Sequence, residues 1–391
     1  MSFTAKQQEF LNEATHRWNI KSGAVRSGKT YLDYFVIPKR IRRVAGLDGL
    51  VVIMGNTKST LQRNIIEPLQ NMWGTQLVSD IKSDNTCMMF GEKVYCLGAD
   101  KISQVDRIRG TSIKYCYGDE VVTWNEQVFE MLKSRLDKPY SKFDGTCNPD
   151  SPFHWFKKFL DEGNADIYLQ EYTIFDNDFL PDEVKDNIVR EHTGVFYDRY
   201  VLGKWALAEG LIFEYDENIN GYKGERPEGE YYISIDYGIT NPFVAQLWCI
   251  DGWHSARCVD EYYYDSKAHN DKRLTDEEHY DRLLKLIGDT EIEQIIIDPS
   301  ASSFIESIYR HNDYGVRRAD NDVKGGIGNM MSFMKNGWLK YNKETCYHTI
   351  KEFSVYRWDD ESGQDKPIKA NDHGCDASRY FCQTILKYLW R

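Results

Sequence analysis

No stretch of this 391-residue chain is apolar for longer than Leu50–Met54, far short of the ~20 residues that a membrane-spanning helix requires. The opening MSFTAKQQEFLNEA also lacks the apolar core of a secretory signal. Both absences lead us to expect an intracellular, soluble protein with no membrane partner. CxxC pairs are missing as well. The nine cysteines, at 87, 96, 116, 147, 249, 258, 346, 375 and 382, are odd in number and widely spaced, which excludes a zinc cluster or disulfide framework and predicts reduced, mostly buried thiols. Positive charge is short too: 49 Lys and Arg against 61 Asp and Glu leave a net charge of -12. That excludes a polybasic protein coating nucleic acid, since nonspecific phosphate binding is driven by cationic side chains; local, transient or ring-shaped contact with DNA stays open. There is no repeat or low-complexity tract. What is present is globular: 41% hydrophobic and 14% aromatic residues, in a chain of a length that usually divides into two domains.

The N-terminal pattern predicts a helix over residues 1–20, then short apolar runs at 50–54, 86–90, 93–97 and 113–117, separated by helical intervals at 30–41, 58–71 and 124–136. Strands alternating with helices predict an α/β sheet domain. The polar stretch 219–230, INGYKGERPEGE, reads as a linker or long loop. After it the pattern restarts, with strands at 231–235, 244–250, 255–262 and 295–297 and helices at 275–287 and after Ala301. We therefore expect a first domain over 1–210, a linker over 211–229 and a second α/β domain over 230–391. Residues 160–218 are less periodic, with one helix expected at 181–193.

Gly23-Ala24-Val25-Arg26-Ser27-Gly28-Lys29-Thr30 satisfies GxxxxGK[ST] in full. This spacing makes a tight loop whose N–H groups face phosphate oxygens; Lys29 reaches the β and γ phosphates and the Thr30 hydroxyl can ligate Mg²⁺. Residues 31–41 read as the required following helix, which Pro38 should kink or shorten. The strand before the loop is weak, with only Arg17-Trp18-Asn19-Ile20 available. An ATPase of this kind also needs acids at the end of a buried strand. Ile113–Gly118 followed by Asp119-Glu120 supplies them, Asp119 for Mg²⁺ and Glu120 to polarise the attacking water. Asn148, in Thr146-Cys147-Asn148-Pro149, could sense the γ phosphate.

Gln7-Gln8 ahead of the loop, Arg26 inside it, the strand ending in Asp119-Glu120, the Asn148-Pro149 junction and a later Ser234-Ile235-Asp236-Tyr237-Gly238 together resemble the large terminase subunit of tailed bacteriophages. The resemblance spans roughly residues 5–385. It implies an N-terminal P-loop motor ATPase of the ASCE type followed by an RNase H-like nuclease. By position it gives Gln7 or Gln8 a contact with adenine, Arg26 a place by the phosphates, Gly23, Ser27 and Gly28 the phosphate loop, Asn148 a part in coupling, and Arg135 the role of an accessory trans-acting arginine.

Two-metal nucleases need carboxylates from separate segments to converge on Mg²⁺ or Mn²⁺ ions. Asp236 ends one strand, Asp298 follows another, and Asp376 sits near the start of a C-terminal helix with His373 three residues before it, an accessory group on the same face. Each matches a position of the terminase nuclease; Asp372 is a rival to Asp376, whose Ala-Ser-Arg-Tyr continuation is the better match. Residues 314–318 and 324–326 offer local positive charge and flexibility for a DNA backbone. The resemblance further implies ATP with Mg²⁺ in the motor and two Mg²⁺ or Mn²⁺ in the nuclease. It implies double-stranded DNA, a portal ring and a small terminase subunit as partners, a homo-oligomeric ring on the procapsid, and work in the host bacterial cytoplasm. The rival readings are a P-loop helicase, which predicts a second RecA-like lobe, and a noncatalytic structural subunit of a DNA-handling complex.

Overall fold

The computed structural model describes residues 3–103, 110–238 and 242–390. The chain forms two compact units. One runs to Ile188 and takes in Val195–Leu207; the other comprises Val189–Gly194 and the chain from Ala208 onward.

The first unit holds β1 (Trp18–Gly23), β2 (Leu50–Gly55), β3 (Thr86–Met89), β4 (Glu92–Gly98), β5 (Ile113–Gly118), β6 (Lys142–Cys147) and β7 (Ile167–Tyr172). They form one sheet in the order β3-β4-β2-β5-β6-β1-β7, parallel throughout except for the β3–β4 pair. Helices cover both faces. On one, Ile37, Ile41, Ile65 and Leu69 pack against Val51, Ile53, Tyr115 and Tyr117; on the other, Phe129, Leu132, Phe156 and Phe159 pack against Trp18, Ile20, Val52 and Phe143. A parallel sheet buried on both faces is the expected form for alternating strands and helices.

Four expectations change here. The N-terminal helix is only Ala5–Glu13, and Trp18–Gly23 form β1. All six residues of this polar strand, WNIKSG, are buried, because each polar side chain has a partner. Asn19 Nδ2 donates to the His16 carbonyl at 2.9 Å, Lys21 pairs with Asp33 at 2.8 Å, and Trp205 Nε1 donates to Ser22 Oγ at 3.2 Å. The helix after the loop spans Lys29–Arg43 and is not cut short at Pro38. The interval expected as one helix at 58–71 contains a π-helical turn, Gln62–Ile66, between Lys58–Leu61 and Glu67–Trp73. Finally, the segment 211–229 is not a free linker. Ile212 and Phe213 are buried, Asp216 caps a short helix, Glu217–Asn220, and Gly221–Tyr222 forms β8, paired with a distant strand.

The second unit adds β9 (Glu230–Asp236), β10 (Phe243–Gly252), β11 (Ser255–Tyr264), β12 (Ile292–Ile297), β13 (Val316–Arg318) and β14 (Leu339–Asn342), in the order β13-β12-β9-β10-β11-β14-β8. β10 runs antiparallel to both neighbours, and every other pair is parallel. Helix Asp276–Ile287, closed by a capping box at Thr275, and helix Ser302–His311 bury Tyr280, Leu283, Phe304 and Ile308 against one face of the sheet. Helix His373–Phe381 lies across β9 and β10, where Phe381 stacks on Trp248 with ring centroids 4.7 Å apart. Both units are therefore α/β.

The stretch 324–326 is not flexible: it lies in the first turn of helix Val323–Lys335, capped by Asp322, and Lys324 pairs with Asp365 at 3.0 Å. Arg317 and Arg318 are exposed on β13. All nine cysteines are buried and free. Among the described residues no helix is long and apolar enough to cross a membrane.

Candidate functional sites

The phosphate-loop motif forms the turn from β1 into helix Lys29–Arg43. Gly23 has no alternative: a Cβ there would lie 2.1 Å from the Tyr172 carbonyl oxygen at the end of β7. Gly28 caps the helix with φ 88°, the left-handed region that glycine enters without strain. Arg26 is also left-handed, φ 53°, and its carbonyl accepts from Asn177 Nδ2 at 2.8 Å. Lys29 folds back over the loop, with Nζ donating to the Gly23 carbonyl at 2.8 Å, the Ala24 carbonyl at 2.6 Å, Ser27 Oγ at 3.2 Å and Asn148 Oδ1 at 3.1 Å. Burial strips water from this ammonium and brings it down to about 8, against the pull of Cys147 and Glu120.

A cleft of about 440 Å³ opens over the loop, walled by residues 25–31 together with Glu120, Thr146, Cys147, Asn148, Asn177 and Leu180. Thus Arg26, Ser27, Gly28, Lys29, Thr30, Glu120 and Asn148, expected from separate segments, meet at one cleft. Asp119 lies just beneath, buried, where its carboxylate accepts from Asn64 and Thr146, each at 3.3 Å. Burial and the neighbouring Glu120 push Asp119 up to about 6. Asn64 belongs to the π-helical turn, an irregularity common at functional sites. Glu120 is exposed, and its φ of 49° turns it away from the line of β5.

Gln7 and Gln8 do not wall the cleft. Gln7 is buried and reaches the loop from the side: Nε2 donates to the Gly28 carbonyl at 3.1 Å, and Oε1 accepts from the Thr4 N–H in a capping box. Gln8 is exposed and bonds the Phe3 carbonyl. Arg135 ends helix Glu126–Arg135, outside the cleft walls, and its buried Nε has no hydrogen-bond partner among the described residues. Asn177 and Leu180 escape sequence reasoning, since nothing in their local pattern marks them as neighbours of a loop 150 residues earlier.

In the second unit a cavity of about 650 Å³ is lined by Asp236, Asp372, His373, Asp376 and Tyr380, with Asp265, Lys267 and Lys369 among its other walls. Asp236 and Asp376 are brought together as expected, and the rival Asp372 shares the cavity with them. Asp298 is not among the lining residues; it reaches the group through Tyr380, whose hydroxyl donates to Asp298 Oδ2 at 2.6 Å. Each acid holds its own donor. His373 Nδ1 lies 2.8 Å from Asp236 Oδ2, and the buried Arg379 pairs with Asp376 at 2.9 Å.

The expected convergence of Asp236, Asp298 and Asp376 as metal ligands is therefore met only in part and is corrected to this extent: among the described residues no three His, Cys, Asp or Glu side chains gather closely enough to hold a metal ion. Electrostatics still marks the cavity. Burial pushes Asp236 up, and Asp376 adds to this while the His373 bond opposes it; burial and Asp376 push Asp372 up, and His373 and Lys369 pull it back. Burial raises Asp298 as well, but bonds from Ser300 and Tyr380 outweigh it and hold the carboxyl below the usual range.

A further carboxylate underlies the site. Glu352, on helix Tyr347–Phe353, accepts from the Gly374 and Cys375 N–H groups at 2.7 and 3.1 Å and from the Tyr263 hydroxyl at 3.0 Å. It thereby caps the helix that carries His373 and Asp376. Burial pushes it up to about 7. Gly374 permits this approach, for a Cβ there would lie 2.4 Å from Thr349 Oγ1.

Known proteins share this fold. Residues 21–218 match the family model described as the N-terminal part of the T4likevirus-type terminase large subunit. The large terminase of a thermophilic bacteriophage is 34% identical, with a TM-score of 0.85 over 99% of this chain and 100% of that one. Structures of the same phage protein in complex with ADP and with ATP-gamma-S are 33% identical, each covering 98% of this chain and all of theirs, with TM-scores of 0.83 and 0.82. A search of curated proteins finds no match. With half of its length matched by the family model and nearly all of it aligned to the thermophilic phage terminase, the chain belongs to the family of large terminase subunits.

Proposed function

We propose that this protein drives double-stranded DNA into a procapsid by hydrolysing ATP at the first cleft, and cuts concatemeric DNA at the second cavity. The observation that carries the motor reading is the meeting of Lys29, Glu120 and Asn148 at one loop-walled cleft with Asp119 beneath. The sheet order supports it, since β6 lies between the loop strand β1 and the acidic strand β5, as the ASCE class requires. The thermophilic phage relative's complexes with ADP and ATP-gamma-S support nucleotide binding.

In this reading Lys29 leaves the loop carbonyls for β and γ phosphate oxygens, the N–H groups of the loop and helix start line the remaining oxygens, and Glu120 orients a water and draws its proton. The donor set suits Mg²⁺: Thr30 offers a hydroxyl, and Asp119 carries a like-charge burden that a cation relieves. Mg²⁺ there would offset charge on the phosphates.

For the second cavity, the 3-2-1-4-5 order of β11-β10-β9-β12-β13 with β10 antiparallel supports an RNase H-like sheet and speaks against a second RecA-like helicase lobe. Asp236, Asp372 and Asp376 offer the hard oxygen donors that Mg²⁺ or Mn²⁺ takes; they would hold such an ion once the carboxylates draw closer together than they lie here, and the ion would supply an activated water. His373, Arg379 and Tyr380 hold the acids in place around the cavity. The likeness to the phage terminase also supports the packaging context: a ring on the portal, a small terminase subunit as partner, and the bacterial host's cytoplasm as the place of work.

Lys29→Ala should abolish DNA-stimulated ATP hydrolysis, and Glu120→Gln should bind nucleotide but not turn over. Full turnover in Glu120→Gln sinks that residue's role in activating water, and undiminished hydrolysis in Lys29→Ala sinks the motor assignment. Mn²⁺-dependent plasmid nicking lost in Asp236→Asn supports the nuclease; nicking at the wild-type rate in that variant removes it.

A further inference from the structure

The acidic cavity presents a problem of attraction. Asp236, Asp372 and Asp376 line it with Asp265. A polyanion approaching such a site is repelled unless cations at the rim outweigh the field.

Two such cations are built in. Lys267 and Lys369 both line the cavity, both are exposed, and among the described residues neither side chain has an ion-pair or hydrogen-bond partner. Their backbones are fixed. Lys267 opens a one-turn helix after β11 in which its N–H donates to Asp265 Oδ1 at 2.9 Å, while His269 bonds the Asp265 carbonyl at 2.8 Å and stacks on Tyr264 with centroids 4.7 Å apart. Lys369 is tied on both sides: the Ile368 N–H donates to the Arg357 carbonyl at 3.0 Å, and the Ala370 N–H to the Ile368 carbonyl at 2.9 Å. The lysines come from segments about 100 residues apart and face the same space.

We propose that Lys267 and Lys369 form a phosphate clamp that holds the DNA backbone across the acidic cavity. The proposal rests on the nuclease reading of that cavity. Lysine suits the task because a flexible point charge binds phosphate without reading base edges, so the clamp strengthens binding uniformly over sequence.

The test uses the full chain and a labelled DNA duplex, in Ca²⁺ and without nucleotide, with affinity measured across a salt series. Each phosphate contact contributes a slope of about -0.9 in log K against log salt, equivalent to about eightfold in affinity at 0.1 M salt relative to 1 M. Lys267→Ala and Lys369→Ala should each flatten the slope by about 0.9 and weaken binding by up to about eightfold at 0.1 M salt, with the two effects adding in the double variant. Lys→Arg at each position should restore the slope, and Lys285→Ala, on the exposed side of helix Asp276–Ile287, should leave it unchanged. An unchanged slope and affinity in a double variant that melts like the wild type overturns the clamp. Asp236→Asn separates the two claims: nicking lost there with lysine variants binding normally removes the clamp alone, and nicking retained there removes the nuclease reading.

Discussion

Lys21→Met takes the cation away from an acid that has no water to turn to. Lys21 and Asp33 are both fully buried and lie 2.8 Å apart between β1 and the helix that follows the phosphate loop. The Tyr117 hydroxyl donates to the other Asp33 oxygen at 3.1 Å, and the Lys21 ammonium sits 3.8 Å from the centre of the Phe10 ring, a cation–π contact. Removing one partner of such a pair costs about 3–5 kcal/mol, because the other charge stays buried and uncompensated, while replacing both is often near neutral. Lys21→Met should therefore cost about 3–5 kcal/mol, Asp33→Asn a comparable amount, and the double variant about 1 kcal/mol, a coupling of several kcal/mol. A pH signature accompanies this. Burial pushes Asp33 up to about 6 even beside Lys21, so the folded state holds its proton more tightly than the unfolded state. Its contribution is fully present at acid pH and is lost as pH rises through the folded value. Without Lys21 that value rises further, so the deficit of Lys21→Met should grow between about pH 6 and about pH 8. Urea unfolding followed by amide exchange in β1 measures both quantities. Single substitutions costing under about 1 kcal/mol, a double variant as unstable as the sum of the singles, or a deficit independent of pH would each refute the reasoning.

The acidic cavity gives three more. Asp376→Asn removes the counter-charge of the buried Arg379 and should lower metal-free stability by about 1–3 kcal/mol, whereas Asp236→Asn keeps an acceptor for His373 and should change it by under about 1 kcal/mol; calorimetry of the two variants in chelator checks the order. Gly374→Ala puts a methyl 2.4 Å from Thr349 Oγ1 and should cost about 1–3 kcal/mol through overpacking, so a melt equal to the wild type would show that the helix start is free to move. Glu352, held at about 7 against an ordinary 4.5, contributes stability at acid pH that disappears as pH rises over that interval; the wild type should lose about 3 kcal/mol relative to Glu352→Gln between the two ends, and a pH-independent difference would contradict the assignment.

Where a strand is apolar, as in β2, β5 and β12, its place is legible from the residues, since a strand covered on both faces needs an unbroken apolar run. β1 is only half visible, as the weak run 17–20, because its polarity is cancelled by partners outside the strand, Asp33, Phe143 and Trp205. For the same reason the stretch 211–229 reads as a linker: the pairing of β8 with β14 leaves no local mark. The phosphate loop is legible because its chemistry is local in sequence, and Asp119-Glu120 follows from strand periodicity. The acidic cavity is only half legible. Strand ends and helix starts locate Asp236 and Asp376, but the donors that hold them, Arg379 and Tyr380, and the cap from Glu352 depend on side-chain geometry that spacing does not encode.

The nine sealed thiols have a practical consequence. Four lie in strands of the first unit, at 87, 96, 116 and 147, and five in the second, at 249, 258, 346, 375 and 382. With all of them buried, a thiol-reactive reagent can modify the protein only through structural opening, so each labelling rate reports the free energy of opening at one known address. Cys147 borders the loop cleft and Cys375 lies beside Asp376. The native chain thus carries reporters for both candidate sites, and labelling read by mass spectrometry can follow what nucleotide or DNA tightens without introducing a single probe.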